Sequence, residues 1–270
     1  MSSESLLSQQ ERQTEATSVD PINTMEARVG HQKTKLYNSL YVFTSSLGIG
    51  LIVLLLFWLM YYRDGFSWQA DPKKQFNWHP FMMVLSMVFL YSQAILIYRT
   101  GRYMSKKKLK LLHAGIHLLA FILSVIGLKA VFDSHNLATP PIPNLYSLHS
   151  WIGLLTVIIY TIQFLAGFIS FLYPGLSSSM RKTMMPVHIV FGTITFIMGL
   201  ISVMTGLTEK ALFTLSNDYS RFIPEAFVFN FMGLITTFYG LLVLYLVTDL
   251  SYKRQTLPEE EIILIGRNNE

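Results

Sequence analysis

The sequence predicts an all-α membrane protein with six transmembrane helices, and three observations predict it. The apolar residues gather into six blocks of about 20, each long enough to cross about 30 Å of hydrocarbon as a helix. Hydrophobic residues make up 51% of the 270-residue chain and charged residues only 14%, against about 25% charged in an ordinary soluble domain. Lys and Arg also fall unevenly on alternate connections, 15 on one side and six on the other. Basic cytoplasmic loops produce that asymmetry.

Taken in order, residues 1–38 are polar, rich in Ser, Gln and Glu, and lack the early apolar core of a signal peptide. They predict a disordered cytoplasmic tail. The spans follow at 40–61, 79–98, 111–131, 147–172, 186–207 and 226–249, within a transmembrane domain over 39–250. Each is read as helix because a lipid-exposed backbone must satisfy its own hydrogen bonds. Residues 251–270 form a second tail. The basic side collects both tails, the loop at 99–112 with Arg99, Arg102, Lys106, Lys107, Lys108 and Lys110, and the loop at 173–185 with Arg181 and Lys182. The opposite side holds Arg63, Lys73, Lys74, Lys129, Lys210 and Arg221. Both termini are therefore expected in the cytoplasm. The net charge of +5 reads as topology in contact with membrane lipid; no RNA or DNA motif occurs, and no nucleic-acid partner is expected.

The chain has no cysteine and seven histidines. Disulfides, thiolate haem ligation and cysteine-held iron–sulfur clusters are excluded, so a redox metal would rest on imidazole or thioether. Given the topology, His79 and His149 start the second and fourth spans at the outer level, and His113 and His188 start the third and fifth at the inner level. Each pair comes from parallel, non-consecutive helices of an inner four-helix bundle. Two imidazoles facing each other across a bundle core can fill both axial positions of an iron porphyrin. Two such pairs would make a two-haem relay, passing electrons without binding oxygen. A single histidine at a helix end is also met as a wet interfacial residue, but four in two level-matched pairs favour ligation. Gly115, Gly153 and Gly192, shortly after three of these histidines, are expected to make room for a flat guest. His31 lies in the polar tail, His117 one turn beyond His113 as ligand or pocket residue, and His135 at the outer surface as metal ligand or plain loop.

Several motifs carry a family resemblance: FNWHP at 76–80, IYR at 97–99, KLLHAG at 110–115, DSHN at 133–136, YSLHSWIGL at 146–154, MMPVHIVFG at 184–192, and Met198-Gly199 with GLTEK at 206–210. On these, over about residues 40–250, the chain resembles the cytochrome b561 family of ascorbate-dependent transmembrane reductases, and somewhat more its duodenal and lysosomal ferric reductase branch. The resemblance implies two haems b, with His79 and His149 as iron ligands of the outer one and His113 and His188 of the inner one. It favours His113 over His117, and it suggests a homodimer.

Lys106 and Lys110 precede His113 by seven and three positions, and Arg181 precedes His188 by seven. Such a basic vestibule attracts an anion, and it also suits lipid phosphate. The resemblance implies ascorbate contacts at these three, with Arg99 a weaker neighbour. His135 and Asn136 match the family's outer substrate region, with Tyr146 and Arg63 as neighbours. The expected function is transmembrane electron transfer from cytoplasmic ascorbate to an outer acceptor. A ferric chelate would make the chain a ferric reductase of plasma or endolysosomal membrane; monodehydroascorbate would make it a regenerator of lumenal ascorbate in secretory vesicles. A histidine-lined metal transporter is the alternative from another class, but its helices should be interrupted near mid-membrane. The first two spans contain no acidic residue, which speaks against a proton-coupled pump. Glu260 with Leu264 and Ile265 has the spacing of an endolysosomal sorting signal, and no Asn-x-Ser/Thr acceptor occurs.

Overall fold

A computed structural model describes residues 21–255, with only the backbone course of 21–29 and 31. The regular structure of these residues is helical: α1 (Pro21–Tyr61), α2 (Pro72–Gln75), α3 (Trp78–Met83), a π-helical segment (Val84–Leu90), α4 (Tyr91–Thr100), α5 (Lys106–Asn136), α6 (Leu148–Phe171), α7 (Ser178–Leu215), a 3-10 turn (Ser216–Arg221), α8 (Pro224–Thr248) and a last 3-10 turn (Leu250–Tyr252). Six stretches are long and apolar enough to span: Gln32–Tyr61, Pro72–Thr100, Lys106–Asn136, Leu148–Phe171, Ser178–Arg221 and Pro224–Thr248. Helix α1 reaches back to Pro21, so the boundary of the expected disordered tail at residue 38 is corrected. Charged residues such as Lys33 and Lys35 end an apolar run without ending a helix, because they are good helix formers. Its early part is also packed: Tyr37 is buried, its hydroxyl lies 2.9 Å from Thr100 Oγ1, and the Arg102 guanidinium stands 5.0 Å from its ring.

The helix starts are written locally. Asp71 caps α2 by accepting from Lys74 N, and Ser147 and Ser150 form a capping box at α6. Pro72 and Pro224 occupy first helical positions, where no amide hydrogen is needed. Between α1 and α2 the chain turns at Asp64 and Gly65, both at positive φ.

Helix α6 packs on α7, α3 and α4 on α5, α5 on α6, and α7 on the π segment, which closes a central set of four spans. Helices α1 and α8 pair with each other beside it, and α8 also meets α7 and α4. The core joining them includes Trp58, Tyr91, Phe196, Phe229 and Tyr239. Outward faces are apolar: Leu148, Trp151, Leu155, Ile158, Ile162, Leu165 and Ile169 run down α6 exposed, spaced three or four apart. So continuous an apolar stripe suits lipid or another apolar partner.

Candidate functional site

The four central spans bring the histidines together in two pairs. The rings of His79 and His149 stand 6.1 Å apart, centre to centre, at one end, and those of His113 and His188 also 6.1 Å apart at the other, basic end. A metal held between two imidazole nitrogens needs about 2 Å to each, and a ring centre lies about 1 Å behind its nitrogen, so opposed ligands stand about 6 Å apart. Both pairs meet that spacing.

Ligation through Nε2 requires the proton on Nδ1, and a partner for it. Carbonyl oxygens only accept, so His79 Nδ1 donates to Gly127 O (3.1 Å), His113 Nδ1 to Ala94 O (2.8 Å) and His149 Nδ1 to Ser202 O (2.9 Å). His188 differs. Its Nδ1 lies 2.9 Å from the side-chain amide of Gln163, whose Nε2 also donates to His188 O at 2.6 Å. The partners are reciprocal between neighbouring spans. Gly127 follows His113, Gln163 follows His149 and Ser202 follows His188 by 14 positions each, whereas Ala94 follows His79 by 15. Fourteen residues make about four α-turns, keeping histidine and anchor on one face. The π segment Val84–Leu90 lies between His79 and Ala94, and a π turn absorbs one extra residue.

Glycine makes the room, though across the helix contact. A Cβ on Gly206 would stand 2.7 Å from the His149 ring, and one on Gly167 2.8 Å from the His188 ring. Of the glycines expected to make room, Gly153 lines the cavity that contains His79 and His149, a Cβ at Gly115 would meet nothing within 4 Å, and Gly192 faces Gln163.

His79 and His149 line a cavity of about 600 Å³. Its walls are largely apolar, with Met83, Leu207 and Phe213 among them, and His135, Asn144 and Tyr146 also line it. His135 Nδ1 meets Asn144 Oδ1 at 3.1 Å, and Asn144 Nδ2 donates to Asn136 Oδ1 at 2.8 Å. Asn136 thus braces the cavity lining from behind. Arg63 is withdrawn from it, bonded to Glu225, which also accepts from Trp58 Nε1 at 2.8 Å.

At the basic end, Lys110 Nζ donates to Phe171 O at 3.1 Å, and the Phe171 ring lies 5.2 Å from His188. Lys106 and Arg181 are each close enough to Lys110 to act on it electrostatically. Arg181 is steadied by Leu176 O at 2.9 Å. Arg99 goes elsewhere, donating to Val247 O (2.6 Å) and Asp249 O at the end of α8. His117 is buried between the ends, its ring 4.6 Å from His113 and 4.8 Å from Tyr91, with Nδ1 3.2 Å from the Tyr160 hydroxyl. Its histidine ring contact among the described residues is with His113 of its own helix, and His188 acts on it electrostatically from across the bundle; the side chain of His31 and the 260–265 motif lie outside the described residues.

Sequence reasoning missed Gln163, Gly167, Gly206, Asn144, Lys73 and Lys210, the last two also lining the cavity. For Gln163 a signal existed: an amide inside an apolar span is costly unless it has a task.

These residues fit a haem at each end: paired imidazoles at ligand spacing, backbone carbonyls that take the Nδ1 proton of three of the four and leave their Nε2 to iron, and glycine beside a ring in each pair. Comparison with known proteins covers the same region. The model of eukaryotic cytochrome b561 matches residues 78–214. The transmembrane ascorbate-dependent reductase CYB561 of Homo sapiens is 40% identical over 221 residues, 82% of this chain and 86% of its own. The lysosomal membrane ascorbate-dependent ferrireductase CYB561A3 of Danio rerio is 40% identical over 229 residues, covering 82% and 92%. Its Bos taurus counterpart is 42% identical over 214 residues, covering 77% and 80%. With both central histidine pairs inside the matched region and relatives aligned over most of their length, the chain belongs to the eukaryotic cytochrome b561 family.

Proposed function

We propose that this protein carries electrons across a membrane, from ascorbate at its basic, cytoplasmic end to an acceptor at the other end, with ferric chelate as the acceptor. The observation that carries the reading is the pair of 6.1 Å histidine contacts at opposite ends of one bundle. Bound haem b, one in each pair, supplies reversible one-electron chemistry between ferric and ferrous iron. The protein's own residues do the rest. Lys106, Lys110 and Arg181 gather the ascorbate monoanion beside His113 and His188. Loss of one electron and one proton leaves monodehydroascorbate, and the open vestibule passes that proton to water. Gly127, Ala94, Ser202 and Gln163 hold the four imidazoles in orientation. His135, braced by Asn144 and Asn136, with Tyr146 beside it, meets the acceptor, which gains the electron.

The ferric reading follows the relatives named as ferrireductases, and GLTEK at 206–210 supports it. Monodehydroascorbate as acceptor is the second reading, favoured by the relatives named simply as ascorbate-dependent reductases. Proteoliposomes loaded with ascorbate decide the matter. Ferric citrate outside should be reduced faster than monodehydroascorbate; the reverse order would assign the chain to ascorbate regeneration, and reduction of neither would remove the reductase reading.

A further inference from the structure

Six basic side chains belong to the outer side: Arg63, Lys73, Lys74, Lys129, Lys210 and Arg221. Three are neutralised where they stand, Arg63 by Glu225, Lys129 by Asp133 at 2.8 Å and Arg221 by Asp218 at 3.0 Å. Of the other three, Lys73 and Lys210 line the cavity that contains His79 and His149. Neither makes an ion pair among the described residues, although Glu209 lines the same cavity. Lys210 is half-buried, its ammonium 4.1 Å from the centre of the Phe76 ring, and that ring lies 6.0 Å from His79. It also stands in the positive field of Arg63 and Lys73.

A half-buried ammonium against an apolar wall, with the exposed Lys73 close enough to repel it, is costly unless an anion joins it. A cation–π contact offsets only part of that cost, on the order of 1 kcal/mol. We propose that Lys210 and Lys73 form a carboxylate-binding subsite of the outer cavity. The carboxylate has two sources of the same chemistry, a propionate of a haem held by His79 and His149, or the carboxylate of an anionic ferric chelate. The proposal rests on the reading of this cavity as the outer electron-transfer site. It adds the class of ligand: an acceptor here arrives as an organic anion, and a bare or cationic metal complex gains nothing from the lysines.

The test uses full-length, haem-loaded protein with Lys210→Gln, Lys73→Gln and both together, and Lys210→Arg as the charge-keeping control. Two readouts are taken: the midpoint potential of the outer haem, and KM for ferric citrate against hexaammineruthenium(III), a cationic one-electron acceptor. If the subsite takes substrate, each Gln variant raises KM for ferric citrate by about tenfold, the weight of one hydrogen bond to a charged group, and leaves the cation unaffected. If it takes propionate, the outer potential falls, since removing positive charge disfavours the ferrous state, and the KM ratio stays fixed. Lys210→Arg keeps both readouts near the starting protein. Unchanged KM ratio and unchanged potential in the double variant, with full haem content, would overturn the subsite. Failure of the functional reading looks different: the unmodified protein would not reduce ferric citrate, while the potential readout needs no acceptor at all.

Discussion

The two histidine pairs have the same ring spacing but are held differently. At the outer end both imidazoles donate to backbone carbonyls, Gly127 O and Ser202 O. At the inner end only His113 does so, to Ala94 O, and His188 depends on the side chain of Gln163. A backbone carbonyl moves only with its helix, whereas an amide side chain can turn and can present either nitrogen or oxygen. The outer pair is thus fixed by the fold, and the inner pair in part by the fold and in part by one residue choice. The surroundings differ too: the outer pair opens into a cavity with two lysines that make no ion pair among the described residues, and the inner pair sits beside Phe171 under a basic vestibule.

The largest expected effect treats the ends alike. Replacing any one of His79, His149, His113 or His188 by Ala should abolish transmembrane reduction in ascorbate-loaded vesicles, because either break interrupts the path; sustained transfer in any of the four would break the pairing. Next come the glycines. Gly206→Ala and Gly167→Ala each place a methyl against a histidine ring, an overpacking cost of about 1–3 kcal/mol. Haem retention should fall only at the affected end, outer for Gly206 and inner for Gly167, as read by which redox component disappears on titration.

Gln163 separates the ends more finely. Gln163→Leu removes an anchor from the inner ligand alone, and Gln163→Glu exchanges the donating amide for a carboxylate that accepts from Nδ1 and adds negative character to the imidazole. The inner potential should fall in the second by about 60 mV if the one-electron equilibrium shifts about tenfold, and not in the first. A merely structural role would move both variants the same way. Smallest is the vestibule: Lys110→Gln and Arg181→Gln should each raise KM for ascorbate about two- to fivefold, the scale of a partly exposed ion pair, without altering KM for ferric citrate.

The spans and the level-matching of the histidines were legible because both follow from apolar run length and helix rise, which are properties of one segment at a time. What escaped belongs to pairs of segments. Gly167 and Gly206 matter through the helix opposite, and no count along α6 or α7 announces that. The π segment has neither Gly nor Pro to mark it; only the fifteenth position at Ala94, against fourteen elsewhere, gives it away. Arg99 reads as a vestibule cation by position, yet the end of α8 offers it two carbonyls. Lys210 stands out only once Arg63 is seen to be neutralised by Glu225, far along the chain.

Haem content per chain tests the central claim most directly. The purified protein should carry two haems, and each of His79→Ala, His149→Ala, His113→Ala and His188→Ala should carry one, whereas His117→Ala should still carry two. Two haems retained in all four ligand variants, or loss of one in His117→Ala alone, would contradict the account.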